Sequence, residues 1–207
     1  MRKKVVAGLA VLFVLISGGI FYMVNLQKTS SGLDVKEEKL IKHGFRLLEE
    51  QLATYIKEHY SGVSKIEFSP IFIEGGKDNP PFTADIVPVV YDEEGNRAVL
   101  GTQIGNTGYP SYGNIANLDI DFDYAGNEFI YLKSSSKGLD VDINVSNQET
   151  LPEEAKIKTE IKGMDANIEA LVKDGQLKNI TKSEIGSPKA EINYNLEIKR
   201  GDYSTWK

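Results

Sequence analysis

The chain has 207 residues, with 24 lysines and arginines against 30 aspartates and glutamates, and no cysteine. Residues 1–26 hold three of those cations and none of the anions, so residues 27–207 carry −9, which excludes nucleic acid and an anionic membrane surface as electrostatic targets. Without cysteine there is neither a disulfide framework nor a lipid-modified cysteine, and residues 27–207 are numerous enough to bury a core without either.

Arg2-Lys3-Lys4 precede an apolar run from Val5 to Leu26. At ~1.5 Å per residue this run is long enough to cross a ~30 Å hydrocarbon core. The cations on its first flank predict a cytoplasmic N-terminus and an exported C-terminal part. Ser17 and Gly19 also fit a cleavage pattern, so a removed signal peptide is the alternative. Ile20–Val24 continue the apolar stretch past that point and favour a retained anchor, placing the protein in the cell membrane with a single pass. Gln27 to Leu33 reads as a polar tether. The expected organisation is anchor 1–26, linker 27–33 and extracytoplasmic domain 34–207.

Asp34 and Glu37 have capping-box spacing, and Ile41, Phe45, Leu48, Leu52 and Ile56 recur at helical steps, predicting an amphipathic helix over about 35–60. Lys42, Arg46, Glu49, Glu50 and Lys57 fall on its polar side. From Val63 the period becomes two, and Pro70 implies an edge or a bulge between Phe68 and Ile71. Phe82–Tyr91 and Arg97–Ile104 flank a turn at 92–96. Gly105–Asn117 reads as a long loop. Leu118–Tyr124, Glu128–Lys133 and Leu139–Val145 form three strands with short connections, an antiparallel meander. Thr150 and Glu153 repeat the capping spacing ahead of Ile157, Ile161, Met164, Ile168 and Leu171, predicting a second helix that Gly163 could split in two. Gln176–Ile185 and Glu191–Lys199 are the last strands. The sum is an α+β fold: an antiparallel sheet of about six to eight strands, two amphipathic helices on one face, and a transmembrane helix in front.

Candidate chemistry is sparse. His43 and His59 stand about 160° apart around the first helix and cannot converge on one proton or metal. Asp119, Asp121 and Asp123 match the start of an EF-hand loop, but Tyr124 occupies the position that needs glycine, and alternation with Ile120 and Phe122 describes a strand with outward carboxylates. Asp140 and Asp142 repeat the arrangement, and a strand between the two rows would put both on one face. Ser134–Lys137 has S-x-x-K spacing without its companion motifs. Gly105–Gly108 lacks the pattern of a phosphate loop. Tyr109 and Tyr112, within the glycine-bearing loop, are contact candidates. No enzyme, metal site or cofactor is expected.

Tyr55-Ile56-Lys57-Glu58-His59-Tyr60 followed by Val63-Ser64-Lys65-Ile66-Glu67-Phe68 resembles the small membrane-tethered proteins and lipoproteins of Gram-positive bacteria, some of which are immunity proteins against secreted toxins. The likeness covers about residues 1–100, lacks the lipobox cysteine and transfers no functional residue. It implies an extracytoplasmic protein-binding module with a toxin as partner. An accessory subunit of an envelope or secretion assembly, and a small-ligand-binding surface protein, stay open beside it. The partner surface expected here is Asp119, Asp121, Asp123, Asp140, Asp142, Tyr109 and Tyr112.

Overall fold

The computed structural model describes residues 29–76, 79–136 and 139–206. The expected anchor, 5–26, lies outside them; among the described residues no helix is long and apolar enough to cross a membrane. Two compact units divide the chain, one ending at Lys39 and one running from Leu40 onward. In the first, the capping box forms: Glu37 N–H donates to Asp34 Oδ1 at 2.8 Å and Asp34 N–H donates to Glu37 Oε2 at 3.0 Å. Helix α1 therefore begins at Val35, and it runs to His59.

Among the described residues, two α-helices and several small sheets make a mixed α+β fold. The strands after α1 are β1 (Tyr60–Ser61), β2 (Val63–Phe68), β3 (Ile71–Gly76), β4 (Asn79–Ile86), β5 (Pro88–Asp92), β6 (Arg97–Val99), β7 (Gln103–Ile104), β8 (Thr107–Gly108) and β9 (Tyr112–Gly113). β10 (Leu118–Phe122), β11 (Glu128–Ser136) and β12 (Leu139–Asn144) follow, then α2 (Lys162–Lys173), β13 (Thr181–Lys182), β14 (Glu191–Asn193) and β15 (Ile198–Arg200).

β14, β2, β5 and β6 form one four-stranded sheet; β15, β3, β4 and β9 form another. They run into each other around a shared bend. β2 continues into β3 through Ser69-Pro70, and β4 into β5 through Val87. There Ser69 N–H donates to the Val87 carbonyl (3.0 Å) and Val87 N–H donates to Ser69 Oγ (3.0 Å), so a side chain replaces a ladder bond lost to the bend. Pro70 sits at this buried interior bend and not at an edge. β14 and β15 lie parallel to β2 and β3, which departs from the expected all-antiparallel sheet. Parallel pairing needs a long crossover, and the chain between β3 and β14 supplies one. Gly105–Asn117, expected as one loop, contributes β8, which pairs with β7, and β9, which pairs with β4.

Helix α1 is enclosed instead of lying on one sheet face. Its apolar stripe is buried as expected, but Leu47, Glu49, Gln51 and Tyr55 are buried too. Between Leu40 and Lys57 no residue is fully exposed. Polar side chains on this flank satisfy the carbonyls of irregular segments: Gln51 Nε2 donates to Ala155 O (2.6 Å) and Lys57 Nζ to Ala190 O (3.0 Å). Glu49 Oε2 accepts the Asn195 N–H (3.0 Å) while Asn195 Nδ2 donates to Phe68 O (3.2 Å), which ties the segment between β14 and β15 to the same bend.

The antiparallel sheet β10–β11–β12 has the order expected of the meander. Leu118, Ile130 and Leu132 bury its inner side, and Gly44 of α1 faces it. A Cβ at Gly44 would stand 2.8 Å from Ile120 Cγ2 and 3.3 Å from Leu118 Cδ2. Alanine gains about 1 kcal/mol over glycine inside a helix, and overpacking costs about 1–3 kcal/mol, so the two nearly cancel for Gly44→Ala. Gly44→Leu is expected to lose about 2 kcal/mol in chemical denaturation. An unchanged midpoint would mean that β10 does not press on the helix at this point.

The second helix starts later than its apolar spacing suggests. Glu153–Ala155 makes a single 3-10 turn with no side-chain cap, and α2 begins only at Lys162. The intervening chain is claimed by tertiary bonds: Ala155 O accepts from Gln51, and Ile161 N–H donates to Tyr55 OH (3.0 Å).

Candidate functional site

Along β11, Ile130 and Leu132 turn inward, so Phe129, Tyr131 and Lys133 stand on the outer side. Asp119 lies opposite Tyr131, and Asp121 opposite Phe129; across the other edge, Asn144 lies opposite Tyr131 and Asp142 opposite Lys133. Both acidic rows therefore share one face with β11 between them. Asp119, Asp121 and Asp142 are exposed. Asp140 pairs with Ser135, and its side chain lies outside the described ones. The Phe129 and Tyr131 rings meet edge-on, centroids 5.8 Å apart at 71°, and Asn144 Nδ2 donates to Tyr131 OH (3.1 Å). The result is an aromatic ridge with carboxylates along both flanks. Its sequence signal was four successive apolar positions, 129–132, which leave one apolar pair outside whichever way the strand faces. Both rows also occupy edge strands, where charge discourages pairing with another chain.

Asp123 does not belong to that row. Its Oδ1 accepts the N–H groups of Ala125 and Asn127 (2.8 Å each) and its Oδ2 accepts Asn127 Nδ2 (2.8 Å). These bonds, the Asn127 side chain foremost, hold its pKa below the ordinary aspartate value. Asp92 closes an equivalent turn, taking Glu94 N–H and Asn96 N–H (2.9 Å each) on Oδ1 and Asn96 Nδ2 (2.8 Å) on Oδ2. Both turns read Asp-x-x-Gly-Asn, with Gly95 at φ +86° and Gly126 at φ +82°, a conformation open to glycine. Tyr124, second in its turn, is fully exposed. Reading the repeated pentapeptide would have found it.

Tyr112 is no contact residue. It pairs with Ile86 in β9 and is buried; burial, with Asp165 and Tyr55 adding, pushes its hydroxyl pKa up. Tyr109 is half-buried.

A second constellation centres on Asp165 of α2. Its Oδ1 accepts Tyr60 OH (2.5 Å) and Tyr55 OH (2.8 Å), and its Oδ2 accepts Lys182 Nζ (2.8 Å), which also reaches Glu160 Oε1 (2.8 Å). Burial alone would raise the Asp165 pKa, but Lys182, Tyr60 and Tyr55 outweigh it and the net direction is down. The same contacts raise Lys182, while burial first and then hydrogen bonding to Asp165 raise Tyr60. Burial pushes Tyr55 up to about 12. Four elements meet on this carboxylate. Beside it a groove of about 710 Å³ opens between α2 and β13, with Ile168 and Ile180 in its wall and Lys162 and Lys173 on its rim.

The histidines keep apart. His43 Nδ1 lies 3.2 Å from Glu128 Oε2 and its Nε2 lies 2.7 Å from Gln148 O, whereas His59 stacks on Tyr55 at 4.3 Å. Ser134 is buried in β11, and Lys137 lies outside the described residues. Among the described residues no three His, Asp or Glu side chains are placed to hold a metal ion. Compared with known proteins, the chain matches no family model, no curated sequence and no solved structure.

Proposed function

We propose that this chain is a membrane-tethered binding module, held by a transmembrane helix at 5–26 and engaging a protein partner outside the cytoplasm through the outer face of β10–β12. One observation carries the reading: fully exposed Tyr124 and the Phe129–Tyr131 pair stand beside exposed Asp119, Asp121 and Asp142. Aromatic side chains dominate the energetics of interfaces, and flanking carboxylates speed the approach of a basic partner and set its orientation. The role is read as binding and not catalysis, since Asp165, the carboxylate beside the groove, is spent on three donors. Immunity against a secreted toxin is the form favoured by the tether, the −9 charge and the sequence resemblance; an accessory role in an envelope assembly would use the same face. The groove beside Asp165 favours a second reading, a small-ligand binder.

The test is a photo-reactive residue placed singly at Tyr124, Asp121, Asp142 and Lys173 of the full chain in cells of its source. Adducts at the first three positions, with Asp121→Lys weakening the Tyr124 adduct, are expected. Adducts from none of the three would reject the face, and labelling at Lys173 alone by a small molecule would transfer the function to the groove.

A further inference from the structure

The two Asp-x-x-Gly-Asn turns are built alike, yet only one is filled. At the Asp92 turn, the Lys178 N–H donates to Asp92 Oδ2 (2.8 Å), the Lys178 ammonium reaches Glu94 Oε2 (3.0 Å) and Asn179 Nδ2 donates to Glu94 Oε1 (3.1 Å). An irregular segment of this same chain is thereby seated on the turn, and Asp92 is wholly buried under it. The Asp123 turn has the same internal bonds and the same left-handed glycine, but its Oδ2 takes only the Asn127 amide, and Asp123 is exposed. The molecule thus shows what such a turn receives, and shows a second one with that position open.

We propose that the Asp123–Asn127 turn is a docking turn for an irregular, bent segment of the partner protein, which donates a backbone N–H to Asp123 Oδ2 as Lys178 does to Asp92. The inference rests on the outer face of β10–β12 being the partner surface, and it names what that face takes: a bent stretch with a lysine or arginine at the donating residue and a left-handed residue after it, as Asn179 (φ +57°) follows Lys178. Ala125 stands where Glu94 binds the cation in the filled turn, so that role falls to exposed Asp121, two residues before the turn. Tyr124 stands where the filled turn has Glu93, exchanging a charge for a ring able to cover the incoming chain. The filled turn also defines the chemistry of recognition. It is a charge-assisted bond to main chain, with little demand on side-chain sequence beyond the cation.

The probe is the peptide Gln-Leu-Lys-Asn-Ile, which copies residues 176–180, added to the ¹⁵N-labelled full chain in detergent micelles. A second peptide carries a methyl group on the lysine backbone nitrogen and lacks only that N–H. The first is expected to move the amides of Tyr124–Asn127 saturably, and the second to bind them roughly tenfold more weakly or worse. Equal effects of the two peptides, or no movement of the turn at millimolar peptide, would overturn the docking turn. Movement of Phe129, Tyr131 and Asp142 with the turn unmoved would overturn it as well while leaving the face as the partner surface; failure of the face itself is read separately from the photo-adducts.

Discussion

Stability measured by chemical denaturation is expected to fall steadily from about pH 4.5 to about pH 9, and Glu49→Gln is expected to abolish most of that fall. Glu49 has no exposed surface, its Oε2 accepts the Asn195 N–H and its Oε1 has no partner. Burial pushes its pKa up from an ordinary 4.5 to about 9, against small opposing effects of the Asn195 N–H and Arg46. The unfolded chain therefore releases this proton above pH 4.5 while the folded chain keeps it to about pH 9. Between those limits the folded state binds more protons, so its advantage is whole at the acid end and shrinks by up to roughly 1.4 kcal/mol per pH unit on the way up. Glutamine keeps the acceptor for Asn195 and cannot ionise. The stability difference, variant minus parent, should then grow with pH across the window. Parallel curves for the two proteins would mean that Glu49 is ionised in the folded state.

Asp165→Ala should be among the most damaging single substitutions, costing about 3–5 kcal/mol. It removes the acceptor of two nearly buried tyrosine hydroxyls and of one ammonium. A buried donor left without a partner costs about 1–3 kcal/mol, and bonds to a charged acceptor are roughly twice as strong as neutral ones. Lys182 keeps Glu160 and Tyr55 keeps the Ile161 N–H, so Tyr60 bears most of the loss. Tyr60→Phe added to Asp165→Ala should cost much less than the two single effects summed, because the orphaned hydroxyl goes with its acceptor. Since Asp165 titrates below its ordinary value, the stability it supplies is present above the unfolded aspartate pKa and disappears as pH falls through the folded one. The variant should lose part of the parent's acid sensitivity below about pH 4. Additive single and double effects would mean that Asp165 is not a shared acceptor.

Local pattern alone determined where α1 begins, through the reciprocal Asp34–Glu37 bonds, and where β10, β11 and β12 run, because alternation of apolar and acidic residues is a property of neighbours in the chain. The meander order and the shared face of the two acidic rows followed from the shortness of the turns between them. Tertiary structure decided the rest. Spacing put Glu49 on the polar side of the helix, yet a segment from the far end of the chain covers it, and no local period carries that information. The second helix lost its first turns because Gln51 and Tyr55 claim the backbone of Ala155 and Ile161, bonds made across about a hundred residues of sequence. Tyr112 sat in a glycine-rich stretch that looked like loop, and pairing with β4 made it a buried strand residue. Asp123 kept the row's spacing but turned back onto its own backbone, since a carboxylate four residues before an asparagine, with glycine between, finds closer donors in the turn than in any partner.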